Sequence, residues 1–415
     1  MSWFVPDPLT LFLVQIVVIL AASRALGLVA RHLGQPAVVA EIAAGVLLGP
    51  SLLGWAAPDL SAALFPPASL GALRLFSQFG LMFFMFLVGL ELDLALLHGR
   101  RRASLFISQA SIVLPFGLGV VLALQLRDRF GAPATSTLAF CLFMGAAMSI
   151  TAFPVLARIL GETGLLRTRV GALAIACAAV DDLTAWCLLA FAVSVARSGG
   201  VTDGLETAAG AAAYVVVMLV VARPLLARLM AYLAARQTAG QNRLALVLVL
   251  LFVSSWATER IGIHALFGAF LFGVVLPKDH GFIAAITDKL EDVVMIVFLP
   301  LFFAVSGLRT ELDALASASH LLTCAAIVAV ASVGKFGGGA AAARITGLPW
   351  RESVMLGVLL NTRGLMELIV LNIGLELGVI TPTLFSMMVV MALATTLMAM
   401  PLLRRVRPAE PASRV

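Results

Sequence analysis

"GALAIACAAVDDLTAWCLLAFAVSVA", residues 171–196, is an apolar run that carries, besides the hydroxyls of Thr184 and Ser194, only Asp181 and Asp182 at its middle as polar residues. As an α-helix rising about 1.5 Å per residue, such a run spans more than the roughly 30 Å of a bilayer's hydrocarbon core. Apart from the two acids it has no polar face to turn toward water, so it reads as a membrane span. A carboxylate at the bilayer centre costs about 3 kcal/mol on insertion scales, and intramembrane acids therefore face a water-filled cavity or a partner.

The rest of the chain agrees. Of its 415 residues 61% are hydrophobic and 12% are charged, and the mean hydropathy is +1.07. A soluble domain carries roughly 25% charged residues. Thirteen apolar runs recur, over 8–31, 36–56, 71–96, 103–126, 136–160, 168–196, 206–233, 242–259, 262–277, 285–308, 316–345, 350–373 and 378–404. The sequence therefore predicts an all-α polytopic membrane protein. "MSWFVPDPLT" lacks the basic start of a secretory signal, so the first run is expected to stay. Few residues follow Leu403, and residues 1–415 read as a single transmembrane domain with no soluble regulatory domain.

Lys and Arg accumulate in cytoplasmic loops. With the N-terminus outside and thirteen crossings, 20 of the 28 basic residues fall inside, among them Arg100–Arg102, Arg223, Arg228, Arg404, Arg405 and Arg407. Six fall outside: Arg74, Arg127, Arg129, Arg197, Arg260 and Arg309. That asymmetry predicts an integral inner-membrane or plasma-membrane protein with an outside N-terminus and a cytoplasmic C-terminus. The net charge of +6 then belongs to loops facing anionic lipid, and no nucleic-acid motif accompanies it. Cys141, Cys177, Cys187 and Cys324 all lie in spans, without metal-ligand spacing, and read as packing residues.

Two pairs of stretches echo each other. "FMFLVGLELDL" (84–94) and "FFAVSGLRTEL" (302–312) end the third and tenth spans; "AEIAAGVLLGP" (40–50) and "ALFGAFLFGVVLP" (265–277) lie in the second and ninth. An offset of seven spans turns the second copy upside down, the inverted-repeat plan of secondary transporters. The repeats would cover roughly 8–196 and 242–404, with 206–233 as a linking helix. Extended further, the repeat pairs "GAAMSITAFPVLARIL" (145–160), with Ser149, Thr151 and Pro154, with "MLGVLLNTRGLMELIVL" (355–371), with Asn361, Thr362 and Arg363. Both carry a polar break in mid-membrane, the arrangement that points to a midplane ion site.

Successive helical residues lie about 100° apart, so Asp181 and Asp182 point differently while bordering one polar sector. Thr184, three residues after Asp181, can add an oxygen on its face. Lys335, in "ASVGKFGGGAAAAR" (331–344), is the lysine available as a charge partner, and the glycines around it admit a close neighbouring helix. Arg363 and Glu367 are spaced to pair with each other, which fits a structural role and an ion-path role equally. Glu41 either lines the cavity or bonds a neighbour. His264 reads as a packed or hydrogen-bonded histidine.

"AAVDDLTAW" (178–186), "GQPAVVAEIAAGVLLGP" (34–50), "FLPLFFAVSGLRTEL" (298–312) and "GVLLNTRGLMELIVLNIG" (357–374) together resemble the monovalent cation:proton antiporter superfamily, in the branch that includes the plant cation/proton exchangers. The resemblance covers essentially the whole chain. It implies a thirteen-helix homodimer with a dimerisation part and a mobile core containing two crossed broken helices. It also implies a function without cofactors: secondary active exchange of Na+ or K+ for protons across the lipid bilayer. Asp182 would be the main cation and proton carrier, Asp181 the preceding acid able to pair with Lys335, and Thr151 with the backbone near Ser149 part of the site's lining. Some relatives place an acid in the first broken helix, whereas "SITAFP" (149–154) has none, so Arg363 needs another counter-charge. A sodium-coupled symporter of the same fold is the alternative; an intramembrane aspartyl protease fits poorly, because its two acids share a proton across a gap.

Overall fold

The computed structural model describes residues 7–33, 35, 37–91, 101–133, 135–165, 168–197, 201–236 and 240–406. Along the chain the helices are α1 (Pro8–His32), α2 (Ala37–Leu48), α3 (Pro58–Leu64), α4 (Leu70–Glu91), α5 (Arg101–Phe130), α6 (Thr137–Ser149), α7 (Phe153–Glu162) and α8 (Arg169–Arg197). There follow α9 (Val201–Val217), α10 (Arg223–Ala235), α11 (Gly240–Ile261), α12 (Ala265–Val275), α13 (His280–Val293) and α14 (Leu299–Leu308). The last are α15 (Ala318–Ser332), α16 (Gly338–Ile345), α17 (Trp350–Leu360), α18 (Leu365–Glu376) and α19 (Pro382–Val406). Single wide turns continue α9 into α10, α13 into α14 and α15 into α16. Among the described residues there is no strand, only an isolated bridge between Gly131 and Ile380.

Nine of these helical stretches are long and apolar enough to cross a bilayer, and ten if α17 and α18, bent by 40° at their break, form one span. Three shorter apolar helices, Val39–Gly54, Thr137–Ser149 and Ala265–Val275, stand where the remaining spans were expected. The starts of the last two are capped by side chains. Ser136 accepts from the Ala139 amide at the start of α6, and His264 from the Leu266 amide at the start of α12, so each side chain satisfies an otherwise orphaned donor. Cys141, Cys177 and Cys324 are buried, whereas Cys187 is exposed on α8.

The chain divides into two compact units. The first comprises Met1–Leu26, Glu41–Ala95 and Leu189–Glu311. Its helices cross where glycines let main chains touch: a Cβ on Gly45 of α2 would lie 2.6 Å from Ala304 Cα of α14, and one on Gly307 would overlap Gly45 itself. A second crossing joins α4 to α12, where a Cβ on Gly273 would overlap the Phe86 carbonyl and one on Gly89 the Phe270 carbonyl. The second unit comprises Gly27–Ala40, Leu96–Leu188 and Leu312–Val415. It has its own core, in which Leu156, Ile159 and Leu160 of α7 pack with Ala174 and Cys177 of α8 and Leu356 and Leu359 of α17. Among the described residues the buried acids and bases, Asp181, Asp182, Lys335, Arg363 and Glu367, all belong to this second unit.

Candidate ion site

Two helices of the second unit break in mid-course. α6 stops at Ser149, Ile150 and Ala152 are extended, and α7 begins at Phe153; α17 stops at Leu360 and α18 begins at Leu365. The breaks bond to each other. The Ala152 amide donates to Thr362 O at 3.1 Å, and Thr151 Oγ1, whose one proton goes to Asp181, lies 3.2 Å from Leu360 O. Thr362 turns its own hydroxyl back onto Leu359 O. Thr396 of α19 clamps the second break, accepting from the Arg363 amide at 3.1 Å and donating to Arg363 O at 2.6 Å.

A helix that stops in the protein interior leaves its last carbonyls without partners, and its C-terminal end carries partial negative charge. Two buried cations meet that need at α6. Arg363 donates to Ala147 O at 2.9 Å and to Met148 O at 2.6 Å, while Lys335 donates to Ser149 O at 2.5 Å. Arg363 also holds Glu367 Oε2 at 2.7 Å. Its counter-charge is therefore Glu367 together with the carbonyl end of α6, which replaces the acid that "SITAFP" lacks.

α8 carries both aspartates into this cluster. Asp181 accepts from Lys335 Nζ at 2.9 Å, from Thr151 Oγ1 at 2.7 Å, from Ser108 Oγ at 2.5 Å and from Ser111 Oγ at 3.0 Å. Lys335 also donates to Ser111 O at 3.0 Å. That carbonyl is available because Pro115, four residues on, has no N–H to bond it. Asp182 is equally buried and differs sharply: neither of its oxygens has a hydrogen-bond partner. The Phe153 amide, at the N-terminal end of α7, interacts with it from outside hydrogen-bond geometry. A carboxylate so placed is costly to leave unmatched.

Among the described residues the buried acids and bases are Asp181, Asp182, Glu367, Lys335 and Arg363. Three carboxylates against two cations leave one negative charge when all are ionised. One proton or one monovalent cation neutralises it, and the side chain without a partner is Asp182.

The structure thus gathers Asp181, Asp182, Thr151, Lys335, Thr362, Arg363 and Glu367. Asn361 sits beside them in the second break, buried, with Oδ1 unbonded. Two expected oxygens turn elsewhere. The Ser149 hydroxyl donates to Gly145 O at 2.7 Å, so Ser149 offers the cluster its carbonyl; the Thr184 hydroxyl donates to Val180 O at 2.8 Å. Both follow the habit of Ser and Thr in helices of bonding the carbonyl one turn back. Glu41 is half-buried on α2, in the first unit. Ser108, Ser111 and Thr396 were missed in the sequence. For the serines a signal existed: Ser104, Ser108 and Ser111 form a stripe at i, i+4 and i+7, and this stripe lies along Cys177 and Asp181 of α8.

A model of the transmembrane sodium/hydrogen exchanger matches residues 16–405. The chain belongs to the sodium/hydrogen exchanger family. It is 42% identical over 404 residues to the Na+/H+ antiporter NhaS4 of Synechocystis, covering 97% of this chain and 98% of that one. It is 40% identical to cation/H+ antiporter 17 of Arabidopsis thaliana and 34% identical to K+/H+ antiporter 1 of Saccharomyces cerevisiae, over 95% and 97% of this chain. It spans 48% and 47% of those two relatives, about half their length. Among solved structures, the sodium proton antiporter MjNhaP1 of Methanocaldococcus jannaschii superposes with a TM-score of 0.69 over 95% of this chain and 96% of that one, at 15% identity. That likeness establishes the exchanger fold. The family consists of transporters.

Proposed function

We propose that this chain is a secondary active antiporter that exchanges Na+ or K+ for protons, with Asp182 binding either one. The observation that carries the reading is the contrast between two adjacent, fully buried acids: Asp181 is bonded by four side chains and Asp182 by none. A hard monovalent cation takes oxygen ligands, which the Asp182 carboxylate supplies together with its charge. Proton and cation exclude each other there, and exchange follows. Asp181 acts as the fixed counter-charge of Lys335. Arg363 with Glu367 closes the carbonyl end of α6, and Thr151, Asn361 and Thr362 belong to the breaks beside the site. The relatives named above are antiporters, and the symporter alternative finds no support among them.

Loops rich in Arg support a cytoplasmic C-terminus and an outside N-terminus with thirteen crossings, and the paired motifs support two inverted repeats; a C-terminal reporter active only outside the cytoplasm would overturn that orientation. The resemblance to dimeric exchangers supports a homodimer, which mass measurement of the detergent-solubilised protein tests. For the activity, the protein is reconstituted into liposomes holding a pH gradient, and Na+, K+, Li+ and Rb+ are added in turn. At least one of them collapses the gradient in wild type and none does in Asp182→Asn, which keeps the shape but cannot cycle a proton. Cation-dependent proton flux in the folded variant removes Asp182 from the mechanism.

A further inference from the structure

Lys335 and Asp181 are bonded more completely than a pair that opens in every cycle requires. An ammonium has three protons, and Lys335 has three acceptors: Ser111 O, Ser149 O and Asp181 Oδ2. A neutral amine has two protons and would leave one of these buried acceptors unmatched. Asp181 has about four lone-pair directions, and four groups converge on them: Lys335, Thr151, Ser108 and Ser111, the one proton of Ser111 being shared between Asp181 at 3.0 Å and Ser108 O at 2.9 Å. Thr151 stands in the break between α6 and α7, where backbone bonds are few. Ser108 and Ser111 instead stand on α5, continuous from Arg101 to Phe130. α5 contributes a third contact, because Pro115 frees the Ser111 carbonyl for Lys335. The neighbouring chain is held close: a Cβ on Gly334, next to Lys335, would lie 2.9 Å from Pro115 Cα.

We propose that Ser108 and Ser111 are positioning residues for exchange, holding Asp181 as a permanent carboxylate against Lys335 so that Asp182 alone trades a proton for a cation. The inference rests on the antiporter reading above and fixes its stoichiometry. With Asp182 protonated the four remaining buried charges sum to zero; with Asp182 ionised and bound to a monovalent cation, the five charges and the cation sum to zero again. One proton leaves for each cation that enters, and no net charge crosses the membrane.

The test uses the reconstituted full chain and the cation that wild type exchanges, with a membrane potential imposed by a permeant lipophilic ion. Wild-type exchange is expected to be indifferent to the potential. In the Ser108→Ala, Ser111→Ala double variant Asp181 loses two of its four partners, a second proton enters the cycle and exchange becomes voltage-dependent: the cation gradient held at equilibrium changes about tenfold for roughly 60 mV. Ser108→Thr, which keeps the hydroxyl, stays indifferent to voltage. Should the double variant fail to fold, Ser108→Ala alone, which removes the shorter of the two bonds, is measured instead. Wild-type flux driven by voltage overturns the inference, and so does a folded serine-to-alanine variant that remains indifferent to it. No flux with any cation is a different failure, that of the antiporter reading, which takes this inference with it.

Discussion

Asp181 and Asp182 are neighbours in sequence and opposites in environment because successive helical residues point about 100° apart. One side of α8 meets the hydroxyls of α5 and the ammonium of Lys335; the adjacent side meets the N-terminal end of α7. Removing one partner of a buried ion pair leaves a charge unmatched and costs about 3 to 5 kcal/mol. Lys335→Gln should therefore lower the unfolding free energy in detergent by about that amount, and Asp181→Asn combined with it should recover most of the loss. A single variant as stable as wild type would show that the pair holds nothing in place. These charges were legible in the sequence because a charge inside a membrane is too expensive to be accidental. The serines were not, since hydroxyls satisfy themselves within a helix at little cost. Ser149 and Thr184 do so here, while Ser108 reaches across to Asp181.

At the scale of the helices, the polar breaks in "MSITAFP" (148–154) and "NTRG" (361–364) were legible because Pro and a polar run cannot sit in lipid unless something re-satisfies the backbone. What the sequence did not carry is how that happens: two cations on other helices take the carbonyls of α6, and Thr396 bridges the Arg363 backbone. The proposed internal repeat predicts a physical counterpart. Aligning "FMFLVGL" (84–90) with "FFAVSGL" (302–308), and "GVLL" (45–48) with "GVVL" (273–276), sets Gly89 on Gly307 and Gly45 on Gly273. The α2–α14 crossing through Gly45 and Gly307 thereby maps onto the α12–α4 crossing through Gly273 and Gly89. If the two halves are equivalent, Gly45→Ala and Gly273→Ala meet main-chain atoms in the same way. Each should destabilise by at least the roughly 1–3 kcal/mol of an overpacked site, measured as a fall in unfolding free energy in detergent. A marked loss at one glycine and none at the other would separate the two crossings and count against the repeat.

For the whole molecule, composition and run length established a helical membrane protein, but the number of crossings is less directly readable. The short apolar helices α2, α6 and α12 fall below the length of an independent span, and α17 with α18 makes one only as a bent pair. In the proposed mechanism, function at this scale comes down to one unmatched charge in the second unit, neutralised by a proton or a cation but not by both. The most direct measurement is proton release on cation binding to the solubilised protein, read calorimetrically in buffers of different ionisation enthalpy. Wild type should release one proton for each cation bound, and Asp182→Asn should release none. A cation that binds wild type without expelling a proton, or one that expels it equally from Asp182→Asn, would contradict competition at Asp182.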